Sequence, residues 1–127
     1  MTTTALNPAT VPSSPFYSPA IEVRDAGRLV FVSGQVGMTP EGTVQEGIGA
    51  QAVQAVANLG AVLGEAGLTP ADLVKLTVYL TDAADVEPFV GAVAGTLTDP
   101  PPATTMLIVN GLASPELRVE VEAVAAR

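Results

Sequence analysis

The residues of this chain best suited to proton transfer lie in one alternating stretch near its C-terminal end. Across Leu117–Ala125 the apolar residues fall on one face of a predicted strand, whereas Arg118, Glu120 and Glu122 fall on the other. A carboxylate in a partly apolar cleft can exchange protons near neutral pH, because burial raises its pKa. In the alternative interpretation, both glutamates belong to a solvated strand face with Arg118 as their neighbour.

The composition excludes most other reactive groups. The 127 residues include no histidine and no cysteine, which excludes disulfides, thiolate nucleophiles, Ser-His-Asp triads and metal sites built on these residues. No Asp-rich loop has calcium-ligand spacing, and we expect neither a metal nor another cofactor. Acid–base work would fall to Glu, Asp, Tyr, Lys or a bound water.

The charge of the chain argues against two classes of partner. Five basic residues are scattered among 13 acidic ones, and the net charge is −8. Nucleic-acid binding and membrane-surface binding both use clustered basic residues, so we expect neither. Residues 1–13 have neither the basic region nor the apolar core of a signal peptide, and we expect them to be loose. A cytoplasmic location is the matching expectation.

The elements that must position the two glutamates make up one α+β domain, residues 1–127. Hydrophobic periodicity and turn residues predict the order strand, strand, helix, strand, helix, strand, strand. The predicted elements are a hairpin over Glu22–Ser33, a helix at Gly47–Ala66, a strand at Leu73–Leu80, a helix at about Ala83–Leu97, and strands at Thr104–Val109 and Leu117–Ala125.

The last two strands are predicted to pair. The turn-rich connector Asn110–Glu116 separates them, and Met106–Val109 is apolar in succession, as in a strand covered on both faces. We therefore expect the chemical centre where these two strands meet. Upstream, Gly34 and Gly37 follow the apolar run Leu29–Val32, and they indicate either a close backbone approach or simply the exit of a strand.

Two helices cover only one face of such a sheet. Because Leu29–Val32 and Met106–Val109 both read as strands buried on two faces, part of their surface needs cover that the chain does not contain. Another copy of the protein is the economical cover, so we predict a homo-oligomer.

Seven segments, in this order and spacing, resemble the RidA/YjgF family of small trimeric proteins, best known for imine and enamine deaminases. They are Tyr17–Ala20, Val32–Gln35, Asn58–Leu59, Glu65–Leu68, Asp72–Asp82, Pro102–Ala103 and Val119–Ala125, within a resemblance that runs from about Ser14 to Ala125. The resemblance implies a chorismate-mutase-like fold (β-β-α-β-α-β-β, a sheet backed by two helices). It also implies a barrel-like homotrimer with a small-molecule ligand in the inter-subunit clefts.

The resemblance also implies roles for particular residues. Glu120 takes the place of the family's water-holding glutamate, and Tyr17 and Ser33, with the adjoining Gly34, take the places of pocket residues. In the deaminating members an arginine binds the substrate carboxylate through paired hydrogen bonds. Thr104 stands at that position here, and threonine offers no charged, bidentate donor.

Two further pocket positions, Met106 and Val90, are apolar in this chain. The cleft implied by the resemblance is therefore less polar than that of a deaminase. Glu122 is interpreted as an ion-pair or interface residue.

Three functions of different classes follow. The first is a hydrolase or deaminase-like enzyme that uses Glu120 and a water on an imine, an enamine or a related electrophile, with neutral or apolar substrates favoured over standard 2-iminoacids. The second is a non-catalytic ligand-binding trimer. The third, RNA cleavage, ranks last because the chain is acidic and contains no histidine.

Overall fold

Six strands and two helices are found in a computed structural model that describes residues 1–127. They are β1 Thr2–Leu6, β2 Ala20–Arg24, β3 Leu29–Val36, α1 Ile48–Glu65, β4 Leu73–Leu80, α2 Val86–Val93, β5 Ala103–Ile108 and β6 Val119–Ala126. The second helix is shorter than predicted, because separate 3-10 turns at Ala83–Asp85 and Ala94–Thr96 flank it. Neither helix has the length and apolarity needed to cross a membrane.

The main sheet has four strands in the order β3-β6-β4-β5. Strand β6 is antiparallel to both of its neighbours, whereas β4 and β5 are parallel. The prediction that β5 pairs with β6 is therefore wrong, since β4 lies between them. Helix α2 is the crossover that allows β4 and β5 to lie parallel and adjacent, whereas β6 inserts between β3 and β4, the two strands that α1 connects.

The N-terminal residues form a second, two-stranded sheet. Residues 1–13 were expected to be loose, but β1 pairs antiparallel with β2, from Thr2 opposite Arg24 to Leu6 opposite Ala20. Consecutive β-branched threonines favour a strand, although the segment as a whole is rich in Pro, Ser and Thr. The predicted hairpin is also wrong in its pairing, because β2 pairs with β1 and β3 pairs with β6.

One face of the main sheet, here called the helix face, is covered by α1 and α2. The alternation predicted for β6 is confirmed, because Val119, Val121, Ala123 and Ala125 are buried against the helices. Burying a valine or leucine side chain contributes roughly 1.5–3 kcal/mol, so this alternation fixes which face of β6 is turned inward. Glu120, Glu122 and Val124, which alternate with these residues, are turned to the opposite face.

The opposite face of the sheet, here called the open face, has no helix over it. On this face Phe31 is 75% exposed and Leu107 is 45% exposed. These residues belong to the two strands that were predicted to need cover on both faces. In the single chain that cover is missing from one side.

Candidate functional site

Glu120 lies on the open face with its carboxylate directly over Gly34. It is opposite Val36 of β3 and Tyr79 of β4, and it is half-buried. A Cβ added at Gly34 would lie only 1.7 Å from Glu120 Oε2. Glycine at this position therefore provides the space in which the Glu120 carboxylate sits.

A break in the strand register brings Ser33 and Gly34 beside β6. The pairing of β3 with β6 shifts between Val32 and Gln35, which leaves Ser33 and Gly34 as a bulge. Ser33 is exposed, and its backbone carbonyl accepts a hydrogen bond from the Gln35 side chain over 3.1 Å. The bulge places both predicted pocket residues on the same side of the sheet as Glu120.

The segment that follows the bulge is held tightly against α1. A Cβ added at Gly37 would lie 2.5 Å from the Cα of Gln51, so the backbones touch there. Asn58 donates to the carbonyls of Val36 and Met38 over 3.0 and 2.9 Å. Of the two interpretations of the glycines, a close backbone approach is therefore confirmed at Gly37, whereas at Gly34 a side chain, that of Glu120, makes the close approach.

Tyr79 lies opposite Glu120 on the open face, although it was not among the predicted site residues. Its hydroxyl donates to the carboxylate of Glu122. This hydrogen bond, followed by desolvation and the negative charges of Glu122 and Glu120, raises the pKa of Tyr79 above its ordinary value of 10.0. Alternation along β4 sets Tyr79 on the open face. Its hydrogen-bond partner, Glu122, is apparent only once β4 is known to adjoin β6.

The two open-face glutamates have no basic partner in the chain. Lys75 donates to a threonine hydroxyl of β5 over 2.7 Å. Arg118 binds both oxygens of the buried Asp85 over 3.0 and 2.6 Å, so it does not neutralise Glu120 or Glu122. No group of three or more His, Cys, Asp or Glu residues is placed to hold a metal ion.

A second group of predicted site residues lies on the other side of the sheet. Tyr17, Val90, Thr104 and Met106 all line a cavity of about 680 Å³ between the helix face and the helices. Thr104 Oγ1 donates to the carbonyl of Pro102 over 3.0 Å, which is the backbone contact expected of a threonine at a strand end.

The N-terminal segment reaches this cavity because Ser18 fastens it to the start of β5. The Ser18 backbone N–H donates to the carbonyl of Pro102 over 3.2 Å, and its side chain donates to the carbonyl of Pro101 over 2.6 Å. A parallel bridge to Ala103 completes the attachment. Tyr17, one residue earlier, is thereby held at the cavity wall.

A single chain does not bring the two groups together. Thr104 is in register with Leu76, whose side chain packs in the core, whereas Glu120 is in register with Tyr79 on the open face. Successive residues of a strand point to opposite faces, and β4 also separates the strands that carry Thr104 and Glu120. The chemical centre expected between β5 and β6 is therefore not formed within the chain.

Comparison with known proteins identifies relatives over nearly the whole chain. The family model described as Endoribonuclease L-PSP matches residues 8–127. The 2-iminobutanoate/2-iminopropanoate deaminase of Salmonella typhimurium is 33% identical over 113 residues, covering 86% of this chain and 88% of that protein. A RutC family protein of Aquifex aeolicus is 45% identical over 75 residues, a match that spans 58% of this chain and 57% of the relative.

Solved structures agree with this assignment. The crystal structure of YyfB from Yersinia pestis, a protein of unknown function of the conserved Rid protein family, covers 100% of both chains with a TM-score of 0.87 and 36% identity. The shared architecture is an α+β fold with two helices against a sheet. This chain therefore belongs to the RidA/YjgF family, which its sequence motifs resemble.

Proposed function

We propose that the protein is a homotrimer whose inter-subunit clefts bind a neutral imine, enamine or related electrophile, and that Glu120 transfers a proton to or from a water in the cleft. For an imine the reaction is hydrolysis, in which one water and R₂C=NH give R₂C=O and ammonia. The proposal needs no cofactor, and it draws its residues from both groups described above.

The observation that carries this proposal is the environment of Glu120. Its carboxylate is half-buried over Gly34 and lacks a basic partner, while the neighbouring Glu122 accepts a hydrogen bond from Tyr79. Glu122 is thus already hydrogen-bonded, which leaves Glu120 as the open-face carboxylate available to a ligand. A carboxyl group in such a setting is suited to exchange a proton with a substrate or a water.

The sheet geometry supports the proposed inter-subunit location. Glu120 and Thr104 lie on opposite faces, so both can reach one ligand only if two subunits contribute. The exposed Phe31 and Leu107 on the open face support an association that covers them. In this arrangement the open face of one subunit meets the edge of its neighbour's cavity at Thr104, here called the cavity rim.

The substrate is proposed to be neutral because neither group contains a free cation. The lining of the cavity near Thr104 includes no charged residue. A 2-iminoacid would have to place its carboxylate there without the charged, bidentate partner that such groups favour. We therefore propose that standard 2-iminoacids are poor substrates.

Mixed trimers test the shared cleft. Sedimentation equilibrium should first report three chains per particle at micromolar concentration; a stable monomer contradicts the proposal. Turnover is then followed as carbonyl release from neutral imines that an amine oxidase generates in situ. Glu120→Gln removes the acid–base group, and Thr104→Trp blocks the cavity rim, so trimers of either variant alone should be inactive.

Co-assembly of the two variants should restore activity. A cleft with an intact open face from one variant and an intact cavity rim from the other forms in about one quarter of random pairings. We therefore expect about one quarter of the wild-type turnover. If co-assembly restores no activity, Glu120 and Thr104 belong to separate sites and the proposal of a shared cleft is wrong.

A non-catalytic ligand-binding trimer is the second candidate, favoured by the apolar lining of the cavity. It predicts that Glu120→Gln binds ligand like the wild type and that no turnover is found. RNA cleavage, which the family description names, is not proposed, since a net charge of −8 and the absence of histidine oppose it.

A further inference from the structure

The cavity between the sheet and the two helices is a cleft of the size of a ligand site. Its volume is about 680 Å³, and it opens to solvent, because Phe16, Val53 and Leu97 of its lining are exposed. Small-molecule sites typically measure about 300–1,000 Å³. The cavity is therefore large enough to hold a ligand.

Small residues of α1 keep this space open. Ala57 and Gly60 line the cavity opposite its floor, to which Leu76, Val78 and Val121 of the sheet contribute. A Cβ added at Gly60 would meet no atom within 4 Å. A larger side chain at Gly60 would therefore extend into the cavity.

The chemistry of the lining selects an apolar, uncharged occupant. Of the 25 lining residues, 19 are hydrophobic and none is charged. The hydroxyls of Thr96, Thr98 and Thr104 already donate to backbone carbonyls over 2.6, 3.2 and 3.0 Å. The Tyr17 hydroxyl makes no hydrogen bond within the chain, which leaves it free to bind a polar group.

We infer that this cavity binds the apolar body of a neutral small molecule whose single polar end lies at Tyr17 and Thr104. The inference rests on the proposed function in one respect, namely that this ligand is the substrate of the same cleft. It then names the substrate class: a molecule with an extended aliphatic or aromatic part. Binding by itself can be measured without any turnover.

Two comparisons of ligands test the chemistry of the cavity. Displacement of the neutral fluorescent probe N-phenyl-1-naphthylamine is measured with 1-alkanols from butan-1-ol to decan-1-ol. Each added methylene should strengthen binding about fourfold until the cavity is filled. Octanoate should bind at least about tenfold more weakly than octan-1-ol at pH 7, because an ionised carboxylate finds no cation there.

Two glycines of the same helix provide the variant and its control. Gly60→Leu places a side chain in the cavity and should weaken probe binding at least tenfold while the protein melts at or above the wild-type temperature. Gly64→Leu makes the same change one turn later, outside the cavity and likewise in open space, and should leave binding within twofold. If Gly60→Leu does not fold, Ala57→Leu takes its place.

The outcomes separate this inference from the proposed function. Absence of probe binding, equal binding by the two leucine variants, or affinity independent of alkanol length would overturn the inference. Glu120→Gln should bind the probe like the wild type. Lost turnover with retained probe binding in that variant supports both conclusions, whereas full turnover with retained binding overturns only the role of Glu120.

Discussion

Replacing Gly34 with alanine moves the Glu120 carboxylate without removing it. The added Cβ would lie 1.7, 2.5 and 2.9 Å from Glu120 Oε2, Cδ and Cγ. Non-bonded atoms of these kinds need about 3.5 Å, so the carboxylate oxygen must withdraw by roughly 1.5–2 Å. Gly34 has no positive φ, and its backbone accepts alanine without strain.

The effect on activity should be much larger than the effect on stability. A displacement of about 1 Å can lower turnover about 10²-fold, and a positioned acid or base contributes about 10²–10⁴-fold. We therefore expect Gly34→Ala to lower turnover about 100-fold. The clash involves the far end of a flexible side chain, so the free energy of unfolding should change by less than about 1 kcal/mol.

The assay compares four variants with the wild type, all of equal oligomer mass, on the neutral imine panel. Glu120→Gln should lose about 10²–10⁴-fold in turnover, and Glu122→Gln, on the same strand face, should lose much less. Adding Gly34→Ala to Glu120→Gln should change little, because the displaced group is already inactive. Full turnover by Gly34→Ala would refute the reasoning that the position of this carboxylate matters.

Two further predictions concern Tyr79 and Thr104. The hydrogen bond to Glu122 raises the pKa of Tyr79. The stability that this hydrogen bond contributes to the fold is present below pH 10 and is lost as the pH rises through the folded-state pKa. The melting temperature of the wild type should therefore fall more steeply above pH 10 than that of Tyr79→Phe, and equal slopes would contradict the assignment. This protein should release ammonia from 2-iminopropanoate at least about tenfold more slowly than the Salmonella deaminase does. Thr104→Arg should recover part of the difference, since a charged hydrogen bond contributes roughly 1.5–3 kcal/mol. Equal rates for the wild type and the deaminase would contradict the role assigned to position 104.

Local patterns in the sequence predicted the elements well. Helix α1 was predicted at Gly47–Ala66 and spans Ile48–Glu65, because its apolar stripe and the following Gly67 depend only on near neighbours. Strand β4 was predicted at Leu73–Leu80 and has those bounds. Each of these signals is complete within a few residues of the element that it describes.

The strand order was not predicted correctly, because it depends on residues distant in the sequence. The connector between β5 and β6 has turn chemistry, which is compatible with a hairpin, but β4 takes the place beside β6. The predicted helix between β4 and β5 is compatible with their parallel pairing, but α1 connects β3 to β4 in the same way and β6 lies between those two strands. Such crossovers therefore do not determine which strand lies beside β6, nor the register that sets Tyr79 opposite Glu120.

The predicted site residues form two groups in the structure, and their relative arrangement was not predicted. Glu120, Ser33 and Gly34 do lie together, and Tyr17, Val90, Thr104 and Met106 do line one cavity. Nothing in the residue types reveals that the two sets occupy opposite faces of the sheet. That separation follows from the register of three strands, which a linear pattern does not contain.

The alternation of β6 has a consequence for how such a protein can diverge. Glu120 and Val121 are adjacent in the chain, yet one faces the neighbouring glutamate and the other lines the cavity. A mutation at Val121 reshapes what the cavity accepts, while Glu120 and Glu122 keep their surroundings on the open face. Ligand preference can therefore drift over generations by single substitutions, without passing through variants that have lost the carboxylates.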